Sequence, residues 1–186
     1  MTTFDVPLTS RGSSVERTQA MSAAPTVDRV FRQLAPAVHG YLRSQTPDAD
    51  DVLSEVFVRV ARALPRFDGD DAGLRRWVFT IAHNCLVDDQ RRRTRRRRLQ
   101  QRTPIATSVD APDPFDPRLA AALGDLTPEQ REVVTLRFIA DLSIEDVAEV
   151  TGRPVGAVKS LQHRALRNLG VALGTGAASA GPDSPA

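Results

Sequence analysis

The stretch from Leu142 to Leu169, LSIEDVAEVTGRPVGAVKSLQHRALRNL, restricts the fold of this chain more than any other. Ser143 is a good N-cap, and Asp146 three residues later approaches the reciprocal pairing of a capping box. Val147, Ala148 and Val150 give a short helix its buried side, with Ala148 small enough for a close crossing. Gly152 supplies a chain reversal that a Cβ would resist, and Pro154 fixes the entry of a second helix. There Val155, Val158, Ala165 and Leu169 recur on one face. Gly156, Lys159, Ser160, His163, Arg164 and Arg167 lie on the other. An ordinary helical hairpin with a solvated basic face has such a pattern. So does a helix-turn-helix whose second helix enters a major groove, and the spacing of small residue, glycine and apolar positions favours the second reading.

Composition narrows the remaining choices. With 186 residues the chain holds one ordinary domain or two small ones, and 41% hydrophobic residues suffice for real cores. One cysteine excludes a disulfide framework and a thiolate zinc cluster. No apolar run approaches a membrane span and the N-terminus lacks a signal-peptide pattern, so a cytoplasmic protein without membrane insertion is expected. The net charge of +2 conceals segregation. Lys159 is the only lysine, and from Arg91 to Arg98 every residue except Thr94 is arginine. Such a block is either a solvated helix end or a nucleic-acid surface, and a neighbouring helix-turn-helix favours the latter. The histidines, His39, His83 and His163, lie in separate segments without metal-ligand or nucleophile spacing, and no glycine-rich phosphate loop is present. The acid pairs Asp70-Asp71 and Asp88-Asp89 read as helix caps or solvated groups. No enzyme activity, cofactor or metal is expected.

Along the chain, residues 1–26 are polar and without apolar periodicity, a disordered tail in which Met21 is an alternative start to Met1. Residues 27–99 form a run of helical patterns. Residues 100–117 carry Pro104, Pro112, Pro114 and Pro117 and read as a linker. Residues 118–173 form a second helical unit containing the motif above, and residues 174–186 a loose tail. The expected fold is all-α, two small helical domains joined by a flexible linker. An extended linker of this length reaches on the order of 60 Å.

In the first unit, a helix from Asp51 to Leu64 buries Val52, Leu53, Val56, Phe57, Val60 and Leu64. Asp51, Glu55, Arg59 and Arg62 form its other face, with Val58 set among them. An exposed valine is common; flanked by ordered charges, it also marks a protein-binding face. An acidic loop follows, in which Phe67 is either free or folded onto the core. The next helix, from Leu74, buries Leu74, Trp77, Val78, Ile81, Ala82 and Cys85 and leaves Arg75, Arg76, Phe79, Thr80, His83, Asn84 and Arg91 off the stripe. Phe79 either packs on a neighbouring helix or serves as an aromatic platform for unstacked bases beside an amide and guanidinium groups.

Three ordered segments, DADDVLSEVFVRVARALPRFD, LRRWVFTIAHNCLVDDQRRR and LTPEQREVVTLRFIADLSIEDVAEVTGRPVGAVKSLQHRAL, resemble bacterial sigma factors of the extracytoplasmic-function group. These are promoter-specificity subunits of RNA polymerase that retain only regions 2 and 4. The resemblance covers about residues 27–173. It implies that Asp51, Glu55, Val58 and Arg59 dock core RNA polymerase, the position of Val58 being apolar in the family as well. It implies that Phe67, Arg76, Phe79 and Asn84 hold the melted −10 strand while Arg91 and Arg92 follow its phosphates. The LTPEQRE segment from Leu126 would open the first helix of region 4, near the polymerase flap. Lys159, Ser160, His163, Arg164 and Arg167, with Arg137, would read the −35 element as duplex. An anti-sigma protein is an implied partner besides polymerase and promoter DNA.

Two positions depart from the family pattern. Leu161 stands where the family usually has arginine, which removes one −35 contact. Gln162 stands at a usually apolar position, so Leu161 is expected to turn inward with Gln162 at the edge of the apolar stripe, where a buried amide needs partners. The loop between Phe67 and Trp77 also differs in length by about a residue from some relatives, which leaves the pairing of its residues with a flipped base open. The alternative is a stand-alone helix-turn-helix regulator, which would bind intact duplex without polymerase.

Overall fold

The structure is a computed structural model that describes residues 26–99 and 116–174. The tails and most of the linker expected from the sequence lie outside these residues. Seven α-helices are present, with no strand among the described residues: α1 (Val27–Gln45), α2 (Ala49–Ala63), α3 (Asp71–Leu99), α4 (Pro117–Gly124), α5 (Pro128–Phe138), α6 (Ile144–Thr151) and α7 (Val155–Ala172). A single 3-10 turn, Leu64–Arg66, extends α2. The helix boundaries follow local chemistry. Thr26 caps α1 by accepting from the Arg29 amide, Asp116 caps α4 with Pro117 in its first turn, and Thr127 caps α5 ahead of Pro128. LTPEQRE therefore opens α5. It is the second helix of its unit rather than the first, because Asp116 and Pro117 had already started α4.

The capping box is present: Ser143 accepts from the Asp146 amide at 2.9 Å while the Asp146 carboxylate accepts from the Ser143 amide at 3.2 Å. Gly152 closes α6 at φ 65°, a conformation that disfavours a side chain. Pro154 is the residue before α7, at the N-cap position.

In the first unit α1, α2 and α3 bury Val38, Val56, Val60, Val78 and Ala82 completely. In the second, α4, α5 and α7 enclose a smaller core of Leu123, Leu126, Val134, Ala165 and Leu169. Val158, Ala165 and Leu169 are buried as the periodicity required, whereas Val155 sits exposed at the edge. The units are also packed against each other. Val133, Leu136, Ala140, Val147, Val150 and Val158 belong to the same continuous core as α1–α3. Burying each such side chain stabilises by roughly 1.5–3 kcal/mol. The motif's own buried face is thus partly covered by the first unit, through contacts of α5 with α1 and of α6 with α3.

Candidate nucleic-acid interface

On α7 the basic face is built as the sequence indicated. Lys159, Ser160, His163, Arg164 and Arg167 are all exposed, and Ser160 turns its hydroxyl back to the Gly156 carbonyl at 2.9 Å. Among the described residues none of these four side chains has an ion-pair partner, so Lys159, Arg164 and Arg167 present their full charge to solvent. Leu161 turns inward and packs against the main core. Gln162 has the partner a half-buried amide requires: Arg137 donates Nε to its Oε1 at 3.3 Å. The same guanidinium also bonds the Leu142 carbonyl and lies 6.0 Å from the Phe138 ring centroid. Arg137 is therefore occupied in bracing the turn after α5, in contrast to the open side chains of α7.

On the first unit, Asp71 opens α3 with the Asp70 carboxylate accepting from the Gly73 amide at 2.8 Å. Phe67 leans on Trp77, ring centroids 5.1 Å apart, so the loop residue is half-buried on an aromatic neighbour rather than free. Gly69 makes this fit, since a Cβ there would lie 2.8 Å from the tip of the Phe67 ring. Asn84, Arg91 and Arg92 are exposed on α3.

Phe79 departs from the expected open platform. It is 0% exposed, with its ring edge-on to Tyr41 at 6.0 Å between centroids. α3 is covered on more than one side, so residues off the Trp77 stripe, Phe79 and Leu86 among them, are buried too, while Trp77 itself is only partly buried. Arg76 is half-exposed and salt-bridged to Asp146 at 3.2 Å and Glu149 at 3.4 Å.

The α2 face holds a network. Arg59 pairs with Glu55 and, at 3.3 Å, with Asp88, and Arg92 pairs with the other Glu55 oxygen at 3.0 Å. Partial burial pushes the Glu55 carboxyl up, but hydrogen bonds from Arg92 and Arg59 outweigh it and hold the group below its usual range. Val58 is 49% exposed on the same face and Asp51 is exposed too. Cys85 lies beneath, fully buried, its thiol pushed up to about 11 by that burial, and so is an inert apolar filler. Asp89, read from sequence as a cap or solvated group, is instead buried and accepts from the Thr46 hydroxyl at 3.2 Å. Arg93 joins this group, donating to Thr46 at 2.7 Å.

Sequence reasoning missed Glu132. This α5 carboxylate gathers Tyr41, His83 and Arg153 from three other segments. Nothing in the local pattern of LTPEQREVV distinguishes it from a solvated acid. Among the described residues no group of His, Cys, Asp and Glu is arranged to hold a metal, and no helix is long and apolar enough to cross a membrane.

Comparison with known proteins agrees with this layout. The family model described as Sigma-70 region 2 matches residues 29–96, and Sigma-70, region 4 matches residues 117–169. The chain is 35% identical over 170 residues to the extracytoplasmic-function (ECF) RNA polymerase sigma factor BldN of Streptomyces coelicolor, covering 83% of this chain and 62% of that protein. It is 33% identical to the ECF sigma factor SigE of Mycolicibacterium smegmatis, covering 83% and 64% respectively. The chain thus spans somewhat under two thirds of the length of these two relatives. With the ECF sigma factor RpoE of Cereibacter sphaeroides, identity is 30% over 75% of this chain and 82% of the relative. Among solved structures, the sigma factor RpoE of Bartonella quintana, in complex with the anti-sigma factor NepR, shares the fold with a TM-score of 0.69 and 24% identity over 79% of this chain and 96% of that one. CnrH, in complex with the cytosolic domain of CnrY, gives 0.55 and 28% over 80% and 87%. Both family models fall on the two helical units, in chain order and with the unmatched stretch at the linker, and the chain belongs to the extracytoplasmic-function group of the sigma-70 family.

Proposed function

We propose that the chain binds core RNA polymerase and directs promoter-specific initiation in the cytoplasm, reading a melted −10 strand with residues 27–99 and a duplex −35 element with residues 118–173. The observation that carries this reading is the contrast between an exposed, unpaired basic helix on a helix-turn-helix and a second basic helix flanked by an aromatic loop. Lys159, Ser160, His163, Arg164 and Arg167 suit a major groove, where arginine offers two donors to a guanine edge. Arg137 supports that face from beneath. Asn84, the Phe67 loop, Arg91 and Arg92 suit an unstacked strand, with Arg76 and Phe79 needing a rearranged surface to take part.

Asp51, Glu55, Val58 and Arg59 form the polymerase-docking face, an exposed apolar residue inside an ordered ring of charge. On the second unit, Leu119, Leu123, Val134, Phe138, Leu166 and Leu169 line an apolar groove of about 210 Å³, a second surface suited to the polymerase flap. An anti-sigma protein, as in the complex of the Bartonella quintana sigma factor, would compete for these surfaces. The function is protein and nucleic-acid binding, without a cofactor or a reaction of its own.

Run-off transcription with purified core polymerase tests the proposal. Addition of the chain is expected to give discrete promoter-dependent transcripts, and the chain alone to bind duplex only weakly. Tight, sequence-specific duplex binding without polymerase, and no transcript with it, would establish the stand-alone regulator instead.

A further inference from the structure

Lys159 is the one lysine among 25 lysine and arginine residues, so it carries the only side-chain primary amine in the sequence. The fold sets that amine in the middle of the basic face of α7, exposed, with Gly156 one turn before it and His163 one turn after. On a helix a long side chain leans over the preceding turn. There Lys159 meets Gly156, which has no side chain and open space where a Cβ would stand. Its helical neighbours three and four places away, Val155, Gly156, Gln162 and His163, include no acid. Among the described residues Lys159 has no ion-pair partner either. Apart from His163, every other basic group on the two nucleic-acid surfaces is a guanidinium, which keeps its charge and its proton.

We propose that Lys159 is an acylation site through which a small activated acyl donor, an acyl phosphate or an acyl thioester, weakens the grip of α7 on duplex DNA. The chemistry needs an amine that is reachable and that no neighbouring carboxylate holds as an ammonium. Lys159 meets both conditions. The ammonium first gives one proton to water. The nitrogen lone pair then forms an N–C bond to the acyl carbonyl, while the C–O bond to phosphate or the C–S bond to the thiol breaks. The leaving group departs with that electron pair and takes the second nitrogen proton. The product is a neutral amide that has lost the positive charge and two of the three donors. Helix α3 contains arginine and no lysine, so the same donor leaves its charge unchanged. Acylation thus adjusts one nucleic-acid surface and spares the other.

The modification itself is independent of the promoter reading, whereas its effect on duplex binding rests on it. The first readout is peptide mass spectrometry of the full chain after incubation with acetyl phosphate and, in a parallel arm, with acetyl-CoA. A single acetylated side chain, Lys159, should accumulate at about the rate of the same lysine in a free peptide of matching sequence. The arm in which it accumulates identifies the donor class. Acylation far slower than that of the free peptide, in both arms, would mean that the fold protects the amine and overturns the site.

The second readout is closed-complex formation on a promoter duplex by holoenzyme assembled from treated or untreated chain, followed across a salt series. One phosphate contact contributes a slope of about 0.9 in log affinity against log salt, which is about eightfold at about 0.1 M salt. Treated wild type should therefore bind about eightfold more weakly, with a slope reduced by about one. Lys159→Arg should respond to neither donor when compared with its own untreated form, which controls for acylation of the chain's α-amine. Lys159→Gln, neutral like the amide, should show the reduced slope without treatment. Binding to a pre-melted −10 bubble that lacks a −35 element should be the same before and after treatment. Complete acylation with unchanged duplex affinity and slope overturns the regulatory role, as does an equal loss in treated Lys159→Arg. Run-off transcription with untreated chain continues to decide the promoter reading on its own.

Discussion

Helices α3 and α7 both present rows of basic side chains, but their charges are differently available. On α3, Arg76 is held by Asp146 and Glu149, Arg92 by Glu55, and Arg93 lies against Asp48 and Asp89. On α7, Lys159, His163, Arg164 and Arg167 are exposed without such partners among the described residues. Counting arginines would rank α3 as the stronger nucleic-acid surface. Among the described residues Arg91, Arg95 and Arg96 of that row are exposed without an acid partner, which brings α3 level with Lys159, Arg164 and Arg167 of α7. Each exposed pair is worth only about 0–1 kcal/mol, so a strand can displace these acids one by one. It does so only where something else, such as melting or polymerase docking, has already brought it close. A surface with internal acid partners is selective by requiring competition; a bare one is ready at first encounter.

The comparison breaks most visibly at Glu55, the acid shared by Arg59 and Arg92. Glu55→Arg combined with Val58→Asp would place three like charges together and put a carboxylate on the exposed apolar spot. Val58 is on the solvent side of its helix and Glu55 at its margin, so helical content is expected to survive. Retention of core polymerase in a pull-down is expected to be lost. Unchanged retention would mean that Glu55 serves only to neutralise α3 and that the docking face is elsewhere.

The next largest effect separates the two helices directly. Arg164→Ala is expected to weaken closed-complex formation by roughly 5- to 150-fold, the range for one bidentate base contact of about 1–3 kcal/mol. It should change tolerance to −35 substitutions alone. Asn84→Ala is expected to leave that step nearly intact and impair strand opening, with a pre-melted −10 bubble not fully restoring base preference. Permanganate footprinting and binding to duplex and bubble templates distinguish the two. The same defect from both substitutions on both templates would erase the distinction between α3 and α7.

What the sequence made legible was what short-range chemistry controls. Ser143, Asp146 and Gly152 act within one turn of themselves, so the cap and the reversal at 65° were readable from spacing. Val58 was readable because a single helix has one polar side. Phe79 stayed open between two readings, and it takes the packed one, because an amphipathic pattern shows one buried stripe whereas α3 packs on both α1 and α2 and also meets α6. Arg137 read as an available cation, yet its partners are a carbonyl five residues on and an amide 25 residues away. Glu132 was invisible for the same reason, with partners from Tyr41 to Arg153 that only the packed chain brings together. The packing of the two units on one another was equally unreadable, since a linker composition reports reach and says nothing of where the ends rest.

A smaller effect tests whether α6 serves both the motif and the packing of the two units. Ser143→Ala removes one cap, worth about 1 kcal/mol, and loosens the carboxylate that Arg76 uses. For a chain of this size that amounts to about 2–4 °C in Tm. Because α6 shares its core with α1–α3, both units are expected to melt in one transition that shifts as a whole. Calorimetry showing two transitions, with only the later residues affected, would mean the units are thermodynamically separate.

The smallest expected effect is acid sensitivity, and it differs in kind between the two helices. Burial alone would push the Asp146 carboxyl up. Hydrogen bonds from the Ser143 hydroxyl and amide, together with Arg76, outweigh that and hold it below its usual 3.8. A folded-state pKa lower than the unfolded one gives stability that is complete above the unfolded value and disappears as pH falls through the folded one. Nothing is therefore expected from Asp146 between pH 7 and 5, and its contribution should fade below about 3.8. Glu55 acts in the same direction from its own lowered value, so wild type retains some acid loss even without Asp146. The clean measurement is a difference: urea midpoints at about pH 6 and pH 3 for wild type and Asp146→Asn. Wild type should lose more on acidification, because asparagine has no charge to lose there. Arg164→Ala should lose as much as wild type, since among the described residues α7 has no acid partner to protonate. Equal losses in wild type and Asp146→Asn would show that the carboxylate is not charged against Arg76 and Ser143, and the electrostatic contrast between α3 and α7 would lose its anchor on α6.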